Sequence, residues 1–290
     1  MKKIVLYALI FVLGFVGVSL WSFWLIVRPP KIIINLTPEN YGLKPESLTL
    51  KTKDGLNIAA WLIPKQDVGS GKLEIEKKSA LVLIHGYPAE KADMLPLAKS
   101  LTSHFSILLF DMRYFGKSEG RLSTLGKGEQ LDLEAALDLL ESRGYKKIGA
   151  FGFSLGGATA LMKSGDPRIS AVAAYAPFSN LRQLGYESYA RLWILKYPLV
   201  ELISFWTKIF LDYDIDAESP ELAIRKLAKP VLIIHDKMDD QISFLHALYL
   251  EKALAQNPKA EFYFPEEGGH GNLPFDFDKR ILEFFEKSLQ

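Results

Sequence analysis

The chain has 290 residues, 49% apolar and 24% charged, with a formal net charge of +1. That is the composition of an ordinary folded protein, long enough for one large domain with a sizeable core, and its balanced charge leaves no footprint for a nucleic-acid partner. It contains no cysteine, which excludes a disulfide framework, a thiolate zinc site, a thiol nucleophile and a lipid-modified cysteine anchor.

The first element is an uncharged apolar run, Ile4 to Val27, with Lys2 and Lys3 before it and Arg28, Pro29, Pro30 and Lys31 after it. At ~1.5 Å per helical residue it can cross a ~30 Å hydrocarbon layer, and Trp21 and Trp24 lie near its exit, where amphipathic rings favour an interface. A cleaved signal peptide is the competing reading, with Gly17 and Ser19 as its small residues. The apolar run continues well past them, so residues 1–30 are read as an uncleaved transmembrane anchor. Cations flank both ends, so the positive-inside rule says little; a short basic segment before a first span usually stays cytoplasmic, which puts the domain that follows outside.

Residues 31–45 read as a linker and 46–290 as one α/β domain. Glu46–Leu50 and Asn57–Ile63 look like strands joined by a Lys53-Asp54-Gly55 turn. Lys65–Lys78 is polar and reads as an exposed loop. From Ala80 onward short apolar runs alternate with helical stretches. Strands are expected at Leu81–His85, Ser106–Phe110, Lys147–Phe153, Ala171–Tyr175, Val231–His235 and Glu261–Phe264. Helices are expected at Ala89–Leu101, Glu129–Arg143, Leu155–Lys163, Ser243–Ala255 and Phe275–Ser288. Continuous apolar strands alternating with helices imply a mostly parallel sheet covered on both faces, with functional loops at the C-terminal strand ends.

Leu181–Ser219 breaks this alternation. It has no clear strand but carries Tyr186, Tyr189, Trp193, Tyr197, Phe205, Trp206, Phe210 and Tyr213. It reads as two helices around Pro198, either a covering layer or a lid over a pocket; its place after a strand favours the lid.

Gly152-Phe153-Ser154-Leu155-Gly156 is a G-x-S-x-G pattern. So short a motif arises by chance, but here an apolar strand leads in and a helical run leads out. A serine on such a turn is strained and exposed, which makes Ser154 the candidate nucleophile. A serine hydroxyl needs a base. His270 follows the last strand among glycines that let the loop turn its ring toward the serine. Asp239 is the leading candidate to orient that ring, with Asp240 and Asp236 as alternatives in the loop after Val231–His235. The oxyanion of an acyl-transfer intermediate needs amide donors; Leu155 and Tyr87 are the candidates, since Pro88 has none. His85 and His235 end strands and read as loop supports.

The order Ser154, Asp239, His270 resembles the α/β-hydrolase superfamily from about Leu48 to the C-terminus. Thr52-Lys53-Asp54-Gly55-Leu56 and Ala60-Trp61-Leu62-Ile63-Pro64 look like the opening strands of one branch, and His85-Gly86 like its oxyanion loop. Phe110-Asp111-Met112-Arg113-Tyr114-Phe115-Gly116-Lys117-Ser118-Glu119-Gly120 resembles its D-x-R-G-x-G-x-S-x-G loop. Pro230–His235 followed by Asp239 resembles its P-V-L-I-I-H-G-x-x-D stretch. Tyr114 and Asp236 stand where glycines are usual, and Ser243 where proline is common. The branch includes single-pass, membrane-anchored serine hydrolases and serine-aminopeptidase-like proteins. The resemblance implies cofactor-free hydrolysis of an ester, thioester or amide through an acyl-enzyme.

No metal and no cofactor is expected. H-E-x-x-H and dinucleotide glycine fingerprints are absent, and Gly116-Lys117-Ser118 lacks the phosphate-loop glycine where Asp111 stands. The anchor and the aromatic insertion favour an ester of an acyl or lipid-like group as substrate. A peptidase with Glu266 or Glu267 holding a peptide amine is the alternative, and a non-catalytic binding protein a third reading. Because no triad residue lies in the anchor, a chain beginning near Lys31 is expected to keep hydrolysing short esters.

Overall fold

The computed structural model describes residues 1–66, 79–266 and 268–290. In chain order its elements are α1 (Lys2–Val27), β1 (Glu46–Lys51), β2 (Asn57–Ile63), β3 (Ser79–Ile84), α2 (Leu95–Leu101), β4 (Ser106–Phe110) and α3 (Glu129–Ser142). There follow β5 (Lys147–Phe153), α4 (Leu155–Met162), β6 (Ile169–Tyr175), α5 (Leu181–Ser188), α6 (Lys196–Leu211) and α7 (Pro220–Ile224). The chain ends with β7 (Val231–Ile234), α8 (Leu245–Ala253), β8 (Ala260–Tyr263) and α9 (Phe277–Ser288). Nearly all of the polar loop expected at Lys65–Lys78, and Glu267, lie outside the described residues.

The eight strands form one sheet in the order β1-β2-β4-β3-β5-β6-β7-β8. β1 and β2 pair as an antiparallel hairpin, and β2 runs antiparallel to β4; every other pairing is parallel. The pleat sends alternate residues to opposite faces, and both faces are covered. Val82, Leu108 and Ala150 pack with Leu137 of α3, Leu161 of α4 and Leu250 of α8. Leu81, Leu83, Ile107 and Phe151 face the other way, onto Leu95 and Leu101 of α2 and Ile281 and Phe285 of α9. This two-sided burial is why the central strands are apolar at every position. Strands are added on one side of β3 up to β4 and on the other side from β5 onward, so strand-end loops converge around the start of α4.

α1 is the one described helix long and apolar enough to cross a membrane, with a mean hydropathy of 2.5 over its best 18 residues. Most of its surface is exposed; only Ser19, Ser22, Phe23 and Val27 are buried. These lie toward its C-terminal end, where the helix packs on α6: Phe23 stacks on Phe210 at 5.5 Å between ring centres, and Trp206 Nε1 donates to Ser19 Oγ at 3.0 Å. Residues 31–45 are also docked in part, through a 3-10 turn at Pro38–Tyr41 and the buried Leu43.

Two expectations change in detail. Ala89–Leu101 is a 3-10 turn (Lys91–Met94) followed by α2, because the Lys91 amide is taken by the Asp111 carboxylate at 2.8 Å. In the Leu181–Ser219 segment the break does not fall at Pro198. Pro198 is the third residue of α6, where its missing N–H costs no helical bond. The break falls at Trp193, whose φ of 49° and ψ of −120° interrupt the 3-10 stretch Ala190–Leu195. α5 is capped by Asn180, whose side chain accepts from the Gln183 amide at 2.8 Å.

Candidate active site

Ser154 is the last residue before α4, with φ 52° and ψ −117°. A non-glycine residue held there is strained by roughly 1–3 kcal/mol, and the fold over-determines it. The Ser154 amide donates to the Tyr175 carbonyl of β6 at 2.8 Å. A Cβ on Gly152 would stand 2.2 Å from the Gly156 backbone, and one on Gly156 would stand 2.4 Å from the carbonyls of Ile84 and His85. No side chain fits at either position, so the glycines of the motif are a packing requirement of the turn.

His270 and Asp239 meet directly: His270 Nδ1 lies 2.8 Å from Asp239 Oδ2. A carboxylate only accepts, so Nδ1 carries the proton and Nε2 of the neutral ring is left with its lone pair. The Asp239 side chain is fully buried. Its other oxygen accepts from the amides of Gln241 and Ile242 at 2.9 and 2.8 Å. Burial alone would raise the Asp239 pKa. The His270 bond and these amides outweigh it and hold the pKa below its ordinary value of 3.8. Asp240 is exposed. Asp236 is buried but turned away, bonded to the Met238 amide at 2.7 Å and packed where a Gly268 side chain would collide with it. Of the three carboxylates in this loop, Asp239 is the one brought to His270.

The Ser154 hydroxyl makes no hydrogen bond to His270 here. The Phe153 ring bridges the two, lying 4.9 Å from the imidazole between ring centres and next in sequence to the serine. A Cβ on Gly86 would sit 2.8 Å from that ring and 3.5 Å from Ser154 Cβ, so the Gly86–Tyr87 backbone runs directly beside the serine. Neither the Tyr87 nor the Leu155 amide donates in a turn or loop hydrogen bond among the described residues.

The other histidines have different work. His85 Nε2 accepts from the Met112 amide at 3.0 Å, so its Nδ1–H donates to the Gly86 carbonyl at 2.7 Å. Burial pushes its pKa down, which keeps it neutral in that role. His235 Nε2 donates to the Ile242 carbonyl at 2.8 Å. His246, which no sequence motif marked, accepts from the Ser179 amide at 3.0 Å and faces Glu187 of α5 at 3.2 Å. It ties α5 and the loop before it to α8.

An apolar cavity of about 290 Å³ opens on Ser154 and Leu155. Its far walls are Leu184, Val200 and Ile203 from the segment between Leu181 and Ser219, together with Phe23 and Ile26 of α1. No Asp, Glu, Lys or Arg lines it among the described residues. The participation of α1 was invisible in the sequence; the one available hint was Tyr114 at a position where the resembled loop has glycine. Tyr114 sits at φ 74°, which is why glycine suits that position, and its hydroxyl donates to the Pro29 carbonyl just beyond α1 at 2.6 Å. A wider depression of about 550 Å³, lined by Arg182, Glu221 and Arg225 among others, touches none of the candidate site residues.

Residues 79–185, from β3 into α5, match a family model described as the alpha/beta hydrolase fold. The uncharacterized protein YqkD of Bacillus subtilis is 31% identical over 201 residues, which cover 66% of this chain and 65% of that protein, slightly less than two thirds of its length. Among solved structures, the Pyrococcus furiosus esterase Pf2001 superposes with a TM-score of 0.73 at 22% identity, over 91% of this chain and 99% of that one. A Mycobacterium tuberculosis puromycin-hydrolyzing peptidase superposes with a TM-score of 0.71 at 20% identity, over 89% of this chain and 41% of the peptidase. With the sheet order and the Ser154 turn, these likenesses define the class. The chain has the α/β-hydrolase fold.

Proposed function

We propose that this protein is a membrane-anchored serine hydrolase that cleaves carboxylic esters of apolar acyl groups. The observation that carries this reading is the uncharged cavity opening onto Ser154, a strained serine at a strand-to-helix turn. In the reaction, Ser154 Oγ bonds to the acyl carbon while His270 Nε2 takes its proton. Asp239 holds the ring's orientation and stabilises its charged form. The oxyanion is met by the amides of Tyr87 and Leu155. Collapse breaks the bond to the alcohol, which leaves with the proton from His270. Water then repeats the sequence on the acyl-enzyme and releases the acid. The thioester follows the same course with a thiol leaving group.

The ester reading is favoured over the peptidase one by the cavity wall. A free peptide amine calls for a carboxylate, and the cavity offers none. Glu266 lies at the surface, paired with Lys237 at 2.5 Å. α1 supplies the anchor, with Lys2 and Lys3 on the cytoplasmic side and the hydrolase domain opposite.

The test is covalent labelling of the full chain with a fluorophosphonate, then turnover of p-nitrophenyl esters against aminoacyl p-nitroanilides. Wild type should label and prefer esters; Ser154→Ala should neither label nor turn over, with a loss of up to about 10⁶-fold in kcat. Equal labelling of the two proteins, or a preference for aminoacyl amides, rejects the reading.

A further inference from the structure

Anchors of single-pass enzymes are usually thought of as tethers, and for a tether no contact beyond a linker is needed. α1 is held quite differently. The last carbonyls of a helix have no partner within it. Here the hydrolase domain supplies donors: Tyr87 Oη to the Ile26 carbonyl at 2.6 Å and the Ser123 amide to the Val27 carbonyl at 2.9 Å. One step further along, Tyr114 Oη donates to the Pro29 carbonyl at 2.6 Å, and Lys31 Nζ lies 4.9 Å from the centre of the Tyr114 ring. Beyond that, the Ile34 amide donates to Glu90 Oε1 at 2.8 Å. Four consecutive attachments over nine residues fix the end of the helix to the rim of the site. One of them comes from Tyr87, whose amide is a candidate oxyanion donor.

The side chains of the same turns face inward. Phe23 and Val27 are fully buried, and Phe23 and Ile26 line the cavity that opens on Ser154, opposite Leu184 and Val200. The helix therefore stands where a second wall is needed. α6 forms part of the wall with Val200, Ile203, Ser204 and Thr207, and α1 supplies Phe23 and Ile26. At ~30 Å³ for a water-sized group, the enclosed space holds on the order of ten methylene-sized units.

We infer that the C-terminal turns of α1 are a wall of the acyl-binding pocket, that Phe23 and Ile26 set the acyl length it accepts, and that its ligand is a single medium-length acyl chain. This rests on the proposed ester hydrolysis at Ser154 for the acyl nature of the ligand and for the assay. It also runs against the expectation that a chain beginning near Lys31 keeps hydrolysing short esters. Without α1, the pocket is open on one side and the Tyr87 hydroxyl loses its acceptor.

The test uses the full chain in detergent micelles and compares kcat/KM for octanoyl and acetyl p-nitrophenyl esters, both kept monomeric. Ile26→Trp fills the pocket and should lower the octanoyl-to-acetyl ratio at least tenfold. Val12→Trp, on the exposed N-terminal half of α1, should leave the ratio at the wild-type value. An unchanged ratio in Ile26→Trp, or an equal fall in both variants, overturns the inference. A second measurement does not depend on turnover or on the Trp variant folding. In Ser154→Ala, octanoic acid carrying a terminal diazirine should crosslink to peptides containing Leu184 or Val200, and to the Phe23–Val27 segment. Unlabelled octanoate should compete both adducts away. Adducts outside these segments, or adducts that octanoate does not displace, overturn the inference. Competed adducts in a protein that hydrolyses no ester would keep the pocket and reject the proposed reaction instead.

Discussion

The loops around Ser154 and the segment above it are held by opposite means. The loop after β4 is built on buried charge. Asp111 is fully buried and accepts from Lys91 Nζ at 2.6 Å, from the Lys91 amide at 2.8 Å and from the Lys117 amide at 2.9 Å. Arg113 lies across the buried Asp132 and reaches Asp54. Breaking such pairs leaves a charge without compensation, which costs about 3–5 kcal/mol. In the segment from Leu181 to Ser219, α5 has no buried residue. Its visible ion pairs, Arg182 with Asp216 and Glu201, are largely solvated, and pairs of that kind contribute ~0–1 kcal/mol each. The loops are fixed as one network, while the segment between Leu181 and Ser219 is held by apolar contact and a few hydrogen bonds. Substitutions in the loops should therefore alter the rate on every substrate, and substitutions in that segment should alter stability locally or the choice of substrate.

The largest effect expected is in the loop after β7. Asp239→Asn should lower kcat by about 10⁴-fold, as the loss of a buried orienting carboxylate does, for short and long esters alike. Asp240→Asn, at an exposed position, should stay within about twofold. A pH series sharpens the assignment. A carboxyl whose pKa is depressed in the folded state contributes stability above its unfolded value and loses it as pH falls through the folded one. Asp239 is depressed, so wild type should lose stability below about pH 4 and Asp239→Asn should lose less over the same range. Parallel acid unfolding curves for the two proteins would break the assignment.

Gly86→Ala comes next. The added methyl meets the Phe153 ring at 2.8 Å, so either the ring or the Tyr87 amide must move. Loss of one oxyanion donor costs about 10²–10³ in kcat, and fluorophosphonate labelling should slow in step. Labelling at the wild-type rate would show that this backbone takes no part in the reaction.

The smallest effect belongs to α6. Trp206→Phe keeps the ring in contact with α1 and removes the bond to Ser19 Oγ, a loss of about 1 kcal/mol. The thermal midpoint should fall by ~2–4 °C, while acetyl-ester kcat/KM changes by less than about twofold. A large fall in turnover from this one change would mean that α6 and the loops are coupled as tightly as the loops are to each other.

Much of the sheet could be read from sequence because two-sided burial makes each central strand a continuous apolar run. The Ser154 turn was legible because its glycines answer to contacts within a few residues, Gly152 against Gly156. His270 and Asp239, which the structure brings into contact, were singled out by strand order. The choice among Asp236, Asp239 and Asp240 was not decided by composition, since three acids in five residues look alike. Geometry separates them, because the Gln241 and Ile242 amides turn Asp239 inward. The break in the segment between Leu181 and Ser219 was misplaced for a comparable reason: proline is unfavourable inside a helix but costless in its first turn. Least legible was α1. Its side chains have the composition any apolar span would have. Their place in the cavity depends on partners such as Tyr87 and Tyr114, 61 and 85 residues away.

That attachment also fixes where Ser154 sits relative to α1. A helix of 26 residues is about 39 Å long at 1.5 Å per residue, against ~30 Å of hydrocarbon and ~40–45 Å with the headgroup layers. With its last turn bonded to Tyr87 and its side chains facing Ser154, the serine cannot swing on a leash. On the proposed reading of α1 as a membrane span, Ser154 is held at one height, beside the final turn of that span.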